Sequence, residues 1–414
     1  MSNCSKVLLL PARLGVLAAI LFSASTYAQN QLASTVPDYS LHKTLLIGVD
    51  GMQYEKLQQA IQDAMAPNIG GLTLAKSYVG GVAGSTTQQG TNSGPGWTTI
   101  LTGAWVDRHQ VKSNSNGLRN QTTSLFEYIK TAAEQRRTAS IVSWNTINHN
   151  LANDIEKGYI DLAVMCDDKD MCVADKASYE IEYGQHDFIF AHFDEPDLVG
   201  HSQGFTPPYQ TAIQGVDYQV GQLLTALENR QNSHPEENWL VIVTPDHGRE
   251  TPAGHNHGAQ TLSEKTTFIA LNKAPNEQLS APIKDPVNPE FDGLYGYASQ
   301  ADIAPTILAH MGVQPVVEQY VIDGTPLIGP MGVRHLSHRL DTQARSVTLN
   351  WRPVKPRGEA LTVYRNGVII GTLTDAASEF VDSALPDTCE PLNYTVVTRG
   401  LPVSVLVPAP DKAG

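Results

Sequence analysis

Between Leu41 and Pro330 the chain alternates short apolar runs with longer helix-periodic segments, and three of those runs stop at carboxylates. Residues 45–49 (LLIGV), 139–142 (ASIV), 188–191 (FIFA) and 240–243 (LVIV) are apolar without alternation, the pattern of strands buried on both faces. Helical segments separate them: Gln121–Glu134 puts Leu125, Tyr128, Ile129 and Ala132 on one face, and Tyr209–Asn229 repeats Val216, Val220, Leu223, Leu224 and Leu227 at 3–4 spacing. Strands alternating with helices predict an α/β fold, a mainly parallel sheet flanked by helices. Asp50-Gly51, Asp194 to Asp197 and Asp246-His247-Gly248 follow the first, third and fourth runs. Ligands collect at the carboxyl ends of strands in such sheets, so these three loops are expected to converge.

After His335 the alternation changes to period two: SVTLNW, LTVYR, VIIGTL, EFVD, YTVVT and VSVLV read as strands, with Asn366-Gly367 as a two-residue hairpin turn. A small antiparallel sandwich is expected at residues 342–410, and its Trp351, Tyr364 and Tyr394 resemble those of a fibronectin type III module, although its first strand is unclear. The preceding domain is placed at 38–335, with Asn272–Tyr297, rich in Pro and Gly, as a surface excursion. At the other end, Lys6 and Arg13 precede the apolar run Leu14–Ser25 and the small-residue site Thr26-Tyr27-Ala28, which reads as a secretory signal peptide over 1–28. A secreted or periplasmic protein follows, with no membrane span expected downstream. In that compartment Cys166 and Cys172, on either side of DDKDM, are expected to form a local disulfide. Two thiols and some Asp make a poor zinc site by comparison. Cys389 is left odd and expected to be buried. With 28 Lys plus Arg against 42 Asp plus Glu, a net charge of −14, the surface repels phosphate backbones, so nucleic acid is not expected as a structural partner.

A lone Asp after a strand is usually a turn former, but here the acidic loops carry imidazoles too. Asp197 and His201 sit four apart in DEPDLVGHSQG, Asp246 and His247 are adjacent, and His255 and His257 follow in a loop bracketed by Gly254 and Gly258. Three carboxylates with three imidazoles and no thiolate suit two zinc or manganese ions and are too rich in nitrogen for calcium. In STTQQGTNSGPGWTTILTG, residues 85–103, Ser93 stands where a helix would begin, with its free N–H groups turned toward an anion. Ser93 is therefore a nucleophile candidate, against the plainer reading of a solvated loop.

In these residues the chain resembles the alkaline phosphatase superfamily, in particular its type I phosphodiesterase and nucleotide pyrophosphatase branch, over residues 44 to about 330. Carrying the resemblance are Asp50-Gly51, the Pro67-Asn68 pair, Ser93 with Pro95 and Thr102-Gly103, Asn114, the Asp197, Gly200, His201 and Gly204 signature, Asp246-His247-Gly248, and the closing segment DIAPTILAHMG. It implies one ion held by Asp197, His201 and His257, and a second held by Asp50, Asp246, His247 and Ser93. Asn114 is implied as a ligand for a phosphoryl oxygen, and His257 is preferred to His255. Two departures stand out: Ser replaces the Thr of many phosphodiesterases, and the last His lies ten residues after His247 without the usual long insertion.

The implied reaction is hydrolysis of a small phosphate ester or nucleotide through a phosphoseryl enzyme. Sulfatases of the superfamily need an Arg where this chain has Trp97. Phosphomonoesterases commonly add a guanidinium, and none lies between Ser85 and Gly103, although Arg108, Arg119 and Arg249 are open to folding into the pocket. A diesterase is therefore favoured over a monoesterase. The rival from another class is a secreted binding protein on an inactive scaffold, contacting protein or glycan through the sandwich. The remaining histidines, His42, His149, His186, His192, His234, His310, His335 and His338, read as surface or core residues. His109 reads as support for the turn toward Asn114, and Trp144 either stacks on substrate or packs.

Overall fold

The computed structural model describes residues 38–284 and 291–410, so the signal peptide expected at 1–28 lies outside the described residues. Eight strands form one sheet: β1 (His42–Val49), β2 (Thr73–Tyr78), β3 (Thr138–Val142), β4 (Leu162–Met165), β5 (Phe188–Phe193), β6 (Asn238–Thr244), β7 (Thr266–Leu271) and β8 (Ala298–Ser299). Their order is β4-β3-β5-β1-β6-β7-β2-β8, parallel except that β7 runs against both of its neighbours. Successive residues feed two cores. Leu45, Ile47 and Val49 of β1 join Ile189, Phe193 and Val243 on one face, beneath Ile213, Val216, Val220 and Leu223 of the long helix Pro207–Ser233. Leu46, Phe190 and Ile242 face the other way, onto Trp97, Ile100 and Leu101 of the helix Ser93–Thr102. Burial on both faces is why the strands read as unbroken apolar runs. Of the stretch expected as a surface excursion, Gln278, Leu279, Leu294, Tyr295 and Gly296 are buried, and its other described residues are exposed or half-buried.

Seven further strands form two antiparallel sheets. The first, in order β13-β10-β9, comprises β9 (Arg334–Asp341), β10 (Ser346–Arg352) and β13 (Glu379–Asp382). The second, in order β12-β11-β14-β15, comprises β11 (Ala360–Arg365), β12 (Val368–Thr374), β14 (Leu392–Thr398) and β15 (Leu401–Val407). Asn366 and Gly367 both take positive φ between paired Arg365 and Val368, as a two-residue hairpin needs. β9 is the strand that the sequence left unclear, and it places the start of this all-β region at Arg334, ahead of 342. Cys166 and Cys172 are disulfide-bonded. Cys389 is exposed rather than buried, and it is not a free thiol.

The seam between the two regions is polar and close. The Ser404 hydroxyl accepts from Arg108 (3.1 Å) and donates to the Ile322 carbonyl (2.8 Å), and Asn393 Nδ2 donates to the Tyr320 carbonyl (2.9 Å). Deleting residues 342–414 would strip β9 of β10 and leave Arg108 without Ser404. We expect the truncated chain to lose roughly 5 °C or more in Tm by calorimetry, from lost hydrogen bonds and from Val333, Leu336 and Leu340 left uncovered. An unchanged Tm would show the seam to be energetically silent.

Candidate metal centre

β5, β1 and β6 are neighbours in the sheet, and their register is level at the carboxyl end, with Val49 beside Phe193 and Gly48 beside Thr244. The chain leaves β1 at Asp50, whose N–H donates to the Phe193 carbonyl at 2.9 Å. It leaves β5 into the short helix Glu195–Gln203, which Pro196 opens and which puts Asp197 and His201 one turn apart. From β6 it passes to Asp246-His247-Gly248. The loops expected to converge therefore leave three adjacent strands at one level.

Asp50, Asp246 and His247 bring one potential ligand atom each within 4.8 Å of one another, and all three are buried. The Ser93 Oγ, in the first turn of the helix Ser93–Thr102, lies 3.2 Å from His247 Nε2 and 3.3 Å from Asp50 Oδ1. His247 Nε2 is also 3.4 Å from Asp50 Oδ1 and 3.3 Å from Asp246 Oδ2. A serine triad would put the carboxylate on Nδ1 and the serine on Nε2. Here Nδ1 is engaged by the Gly248 carbonyl at 2.9 Å, and every other polar group crowds Nε2. This is how a ligand imidazole is oriented, with its outer nitrogen tied to a carbonyl and its inner one turned to an ion. Asp246 Oδ2 is buried without a hydrogen-bond partner, an orphaned acceptor that a cation would satisfy. Burial alone would lower the His247 pKa, but the carboxylates of Asp246, Asp50 and Asp197 push it up to about 10. The residues fit a divalent ion by donor type and by the negative charge gathered around it.

Asp197, His201 and His257 form the second such group. His201 Nε2 lies 3.2 Å from Asp197 Oδ2 and 3.0 Å from His257 Nε2, whose Nδ1 faces the Thr91 carbonyl at 2.8 Å. His255 points away, its Nδ1 3.3 Å from the His201 carbonyl, so His257 is the member of the pair that lies in the cluster. The rings of His247 and His257 stack at 3.8 Å, placing the two groups side by side. Burial, and then the neighbouring His247 charge, lower the His257 pKa to about 3.

Two residues at the site escaped the sequence reading of their roles. His192 is no ordinary core histidine: its Nε2 lies 3.1 Å from Asp50 Oδ2, the oxygen that also accepts from Trp97 Nε1 at 2.8 Å. Together they occupy Oδ2 and leave Oδ1 to the cluster. Gly48 has no Cβ because one would collide with the Trp97 indole. His192 and Asp50 also form a close group with Asp194, whose carboxyl is held well above the usual range by burial and by Asp50, Asp197 and Asp170. The second residue is Arg249, fully buried and bonded to Asp197. Arg108 pairs with Asp323 at 2.7 Å beside the sandwich, and Arg119 is exposed near Asn153 and Glu156. Asn114 Oδ1 accepts the Gly94 N–H at 2.8 Å, so that N–H, expected to face a substrate oxygen, is already engaged and Asn114 Nδ2 remains. His109 bonds Gln89, Thr99 and the Val111 N–H beneath this turn. Asn68 is tied to Asp217 of the long helix, and Trp144 packs partly buried against the core.

A sequence profile described as the Metalloenzyme superfamily matches residues 42–315. The 2,3-bisphosphoglycerate-independent phosphoglycerate mutase of Clostridium tetani is 30% identical over 142 residues, which cover 34% of this chain and 24% of the mutase. The chain thus matches about a quarter of that relative's length. Among solved structures, a 2-O GAG sulfatase aligns at 12% identity with a TM-score of 0.46, covering 75% of this chain and 80% of that chain. Murine ectonucleotide pyrophosphatase/phosphodiesterase 5 aligns at 13% identity with a TM-score of 0.44, covering 66% of this chain and 96% of that chain.

Proposed function

Because the chain belongs to the Metalloenzyme superfamily, we propose that it is a two-metal hydrolase of phosphoric esters that prefers diesters and works through a phosphoseryl enzyme. The observation that carries this is the place of Ser93: a hydroxyl at a helix start, within 3.3 Å of Asp50 and His247 and backed by two adjacent Asp/His groups. Asp50, Asp246 and His247 would hold one ion with Ser93, and Asp197, His201 and His257 would hold the other. Two such zinc or manganese ions, when bound, would supply Lewis acidity to Ser93 and to the phosphoryl group.

The chain's own residues do the rest. Ser93 Oγ attacks phosphorus, its proton passes through solvent to the ester oxygen, and that oxygen departs with its bonding pair as the alcohol. Water then cleaves the phosphoserine, returning a proton to Oγ and releasing the phosphoryl product. Asn114, anchored through Oδ1, offers Nδ2 to an equatorial phosphoryl oxygen. The preference for a diester rests on where the arginines weighed for the pocket go: Arg108 to Asp323, Arg119 to the surface and Arg249 to Asp197. A diester monoanion needs one positive charge less than a monoester dianion.

Export is supported by the signal-like segment 1–28 and by the Cys166–Cys172 disulfide. The three-plus-four strand order supports a fibronectin type III-like module offering a contact surface for protein or glycan.

The test assays zinc-loaded protein on bis-p-nitrophenyl phosphate, p-nitrophenyl phosphate and p-nitrophenyl sulfate. The diester is expected to have the highest kcat/KM. Monoester preference would replace the diesterase reading by a phosphatase or phosphomutase, and sulfate preference would replace it by a sulfatase.

A further inference from the structure

Arg249 follows the Asp246-His247-Gly248 segment, yet its guanidinium serves the other metal group. Nη1 donates to Asp197 Oδ1, Nε to the Gly254 carbonyl at 2.6 Å and Nη2 to the His255 carbonyl at 2.9 Å, while its backbone N–H goes to Gln53 Oε1 at 2.6 Å. The side chain has no exposure to solvent. Two glycines keep its path open. A Cβ on Gly200 would run into the guanidinium, and one on Gly51 would run into the Asp197 carboxylate and crowd Nη1. Burying a permanent charge is costly unless it is paired and hydrogen-bonded, and here three of the five guanidinium N–H groups meet one carboxylate and two carbonyls.

Those acceptors come from two segments that must meet to make the outer site. Asp197 and His201 ride on the helix Glu195–Gln203, whereas His257 ends a loop that passes through Gly254 and His255. Thr91 holds that loop from one side, accepting from His257 Nδ1 and from the Gly258 N–H. We propose that Arg249 is a positioning residue that clamps it from the other side, fixing the Asp197 carboxylate and the Gly254–His255 turn in one plane so that Asp197, His201 and His257 form a single ion site. Its hydrogen bonds do not reach Asp50, Asp246 or His247, so its influence falls on the outer ion and spares the inner one. The inference rests on the two-ion reading above.

The test strips the full-length mature protein with a chelator and titrates zinc against a chromophoric competitor, for wild type, Arg249→Met, Arg249→Lys and Gly200→Ala. Cobalt spectra distinguish the sites. Wild type should bind two ions per chain. Arg249→Met should keep the affinity of the Asp50–Asp246–His247 site and lose about 10- to 100-fold at the other, the size typical when a group orienting a metal ligand is removed. Arg249→Lys keeps the charge but cannot span three acceptors, and Gly200→Ala displaces the fork without deleting it, so both should reproduce the selective loss. Unchanged affinity at both sites, equal weakening of both, or full recovery with lysine would overturn the positioning role. A wild type that takes up fewer than two ions would instead overturn the two-ion reading, whatever the variants do.

Discussion

Ser93→Ala is expected to keep its fold and both ions while losing roughly 10² or more in kcat on a phosphodiester, the scale of removing one group that stabilises the transition state. The fold should survive because the change deletes one oxygen at the start of a helix whose core contacts are made by Trp97, Ile100 and Leu101. The ions should survive because Asp50, Asp246 and His247 remain around one, and Asp197, His201 and His257 around the other. The neighbouring Thr91 is a poor substitute. Its hydroxyl is buried, accepts the Gly258 N–H at 3.0 Å and donates to Glu264 at 3.3 Å, so it is committed to holding the loop that carries His257. The check combines metal content by mass spectrometry, steady-state kinetics, and a search for phosphoserine at Ser93 after rapid quench. An alanine variant with wild-type turnover would remove the covalent step from the proposed reaction.

The parts legible in the sequence were those whose cause is local. β1, β5 and β6 could be read because strands covered on both faces must be apolar at every position, and the turns after them because Asp-Gly and Asp-His-Gly cannot continue a strand. β7 escaped notice because TTFIAL carries no mark of its direction, and β9 because RHLSHRLD has the polarity of a linker and becomes a strand only by pairing with β10. At the site the Asp and His residues that the fold brings together could be read from their spacing, and the side chains that support them could not. Arg249 beside Asp-His-Gly has the composition of a surface turn, and its partner Asp197 lies 52 residues away. His192 sits in a strand among phenylalanines, where a buried imidazole is usually structural. Only the neighbouring strand, which Asp50 directly follows, brings its ring a hydrogen-bond partner. The direction of the three arginines likewise depends on tertiary contacts, including one to the sandwich.

Asp50→Asn and Asp246→Asn should be more damaging than loss of the nucleophile, with activity down by about 10³ or more, since each removes a carboxylate charge from the group proposed to hold the ion beside Ser93. Asp50 makes the sharper test. Its Oδ2 accepts from both Trp97 and His192, so an asparagine there is driven to place its carbonyl oxygen on those two donors and turn its NH₂ toward the cluster. An NH₂ cannot ligate a cation, and the variant should lose the inner ion while keeping side-chain volume and core packing. At Asp246 the orphaned Oδ2 is the atom that matters, because the other oxygen already accepts the Gly51 N–H at 3.2 Å. His201→Ala should by contrast empty the outer site alone, its ring being about half exposed and making no core contact. Zinc stoichiometry measured beside kcat/KM on the three variants separates these outcomes. If all three kept two ions and wild-type rates, the Asp/His groups would not be the metal centre.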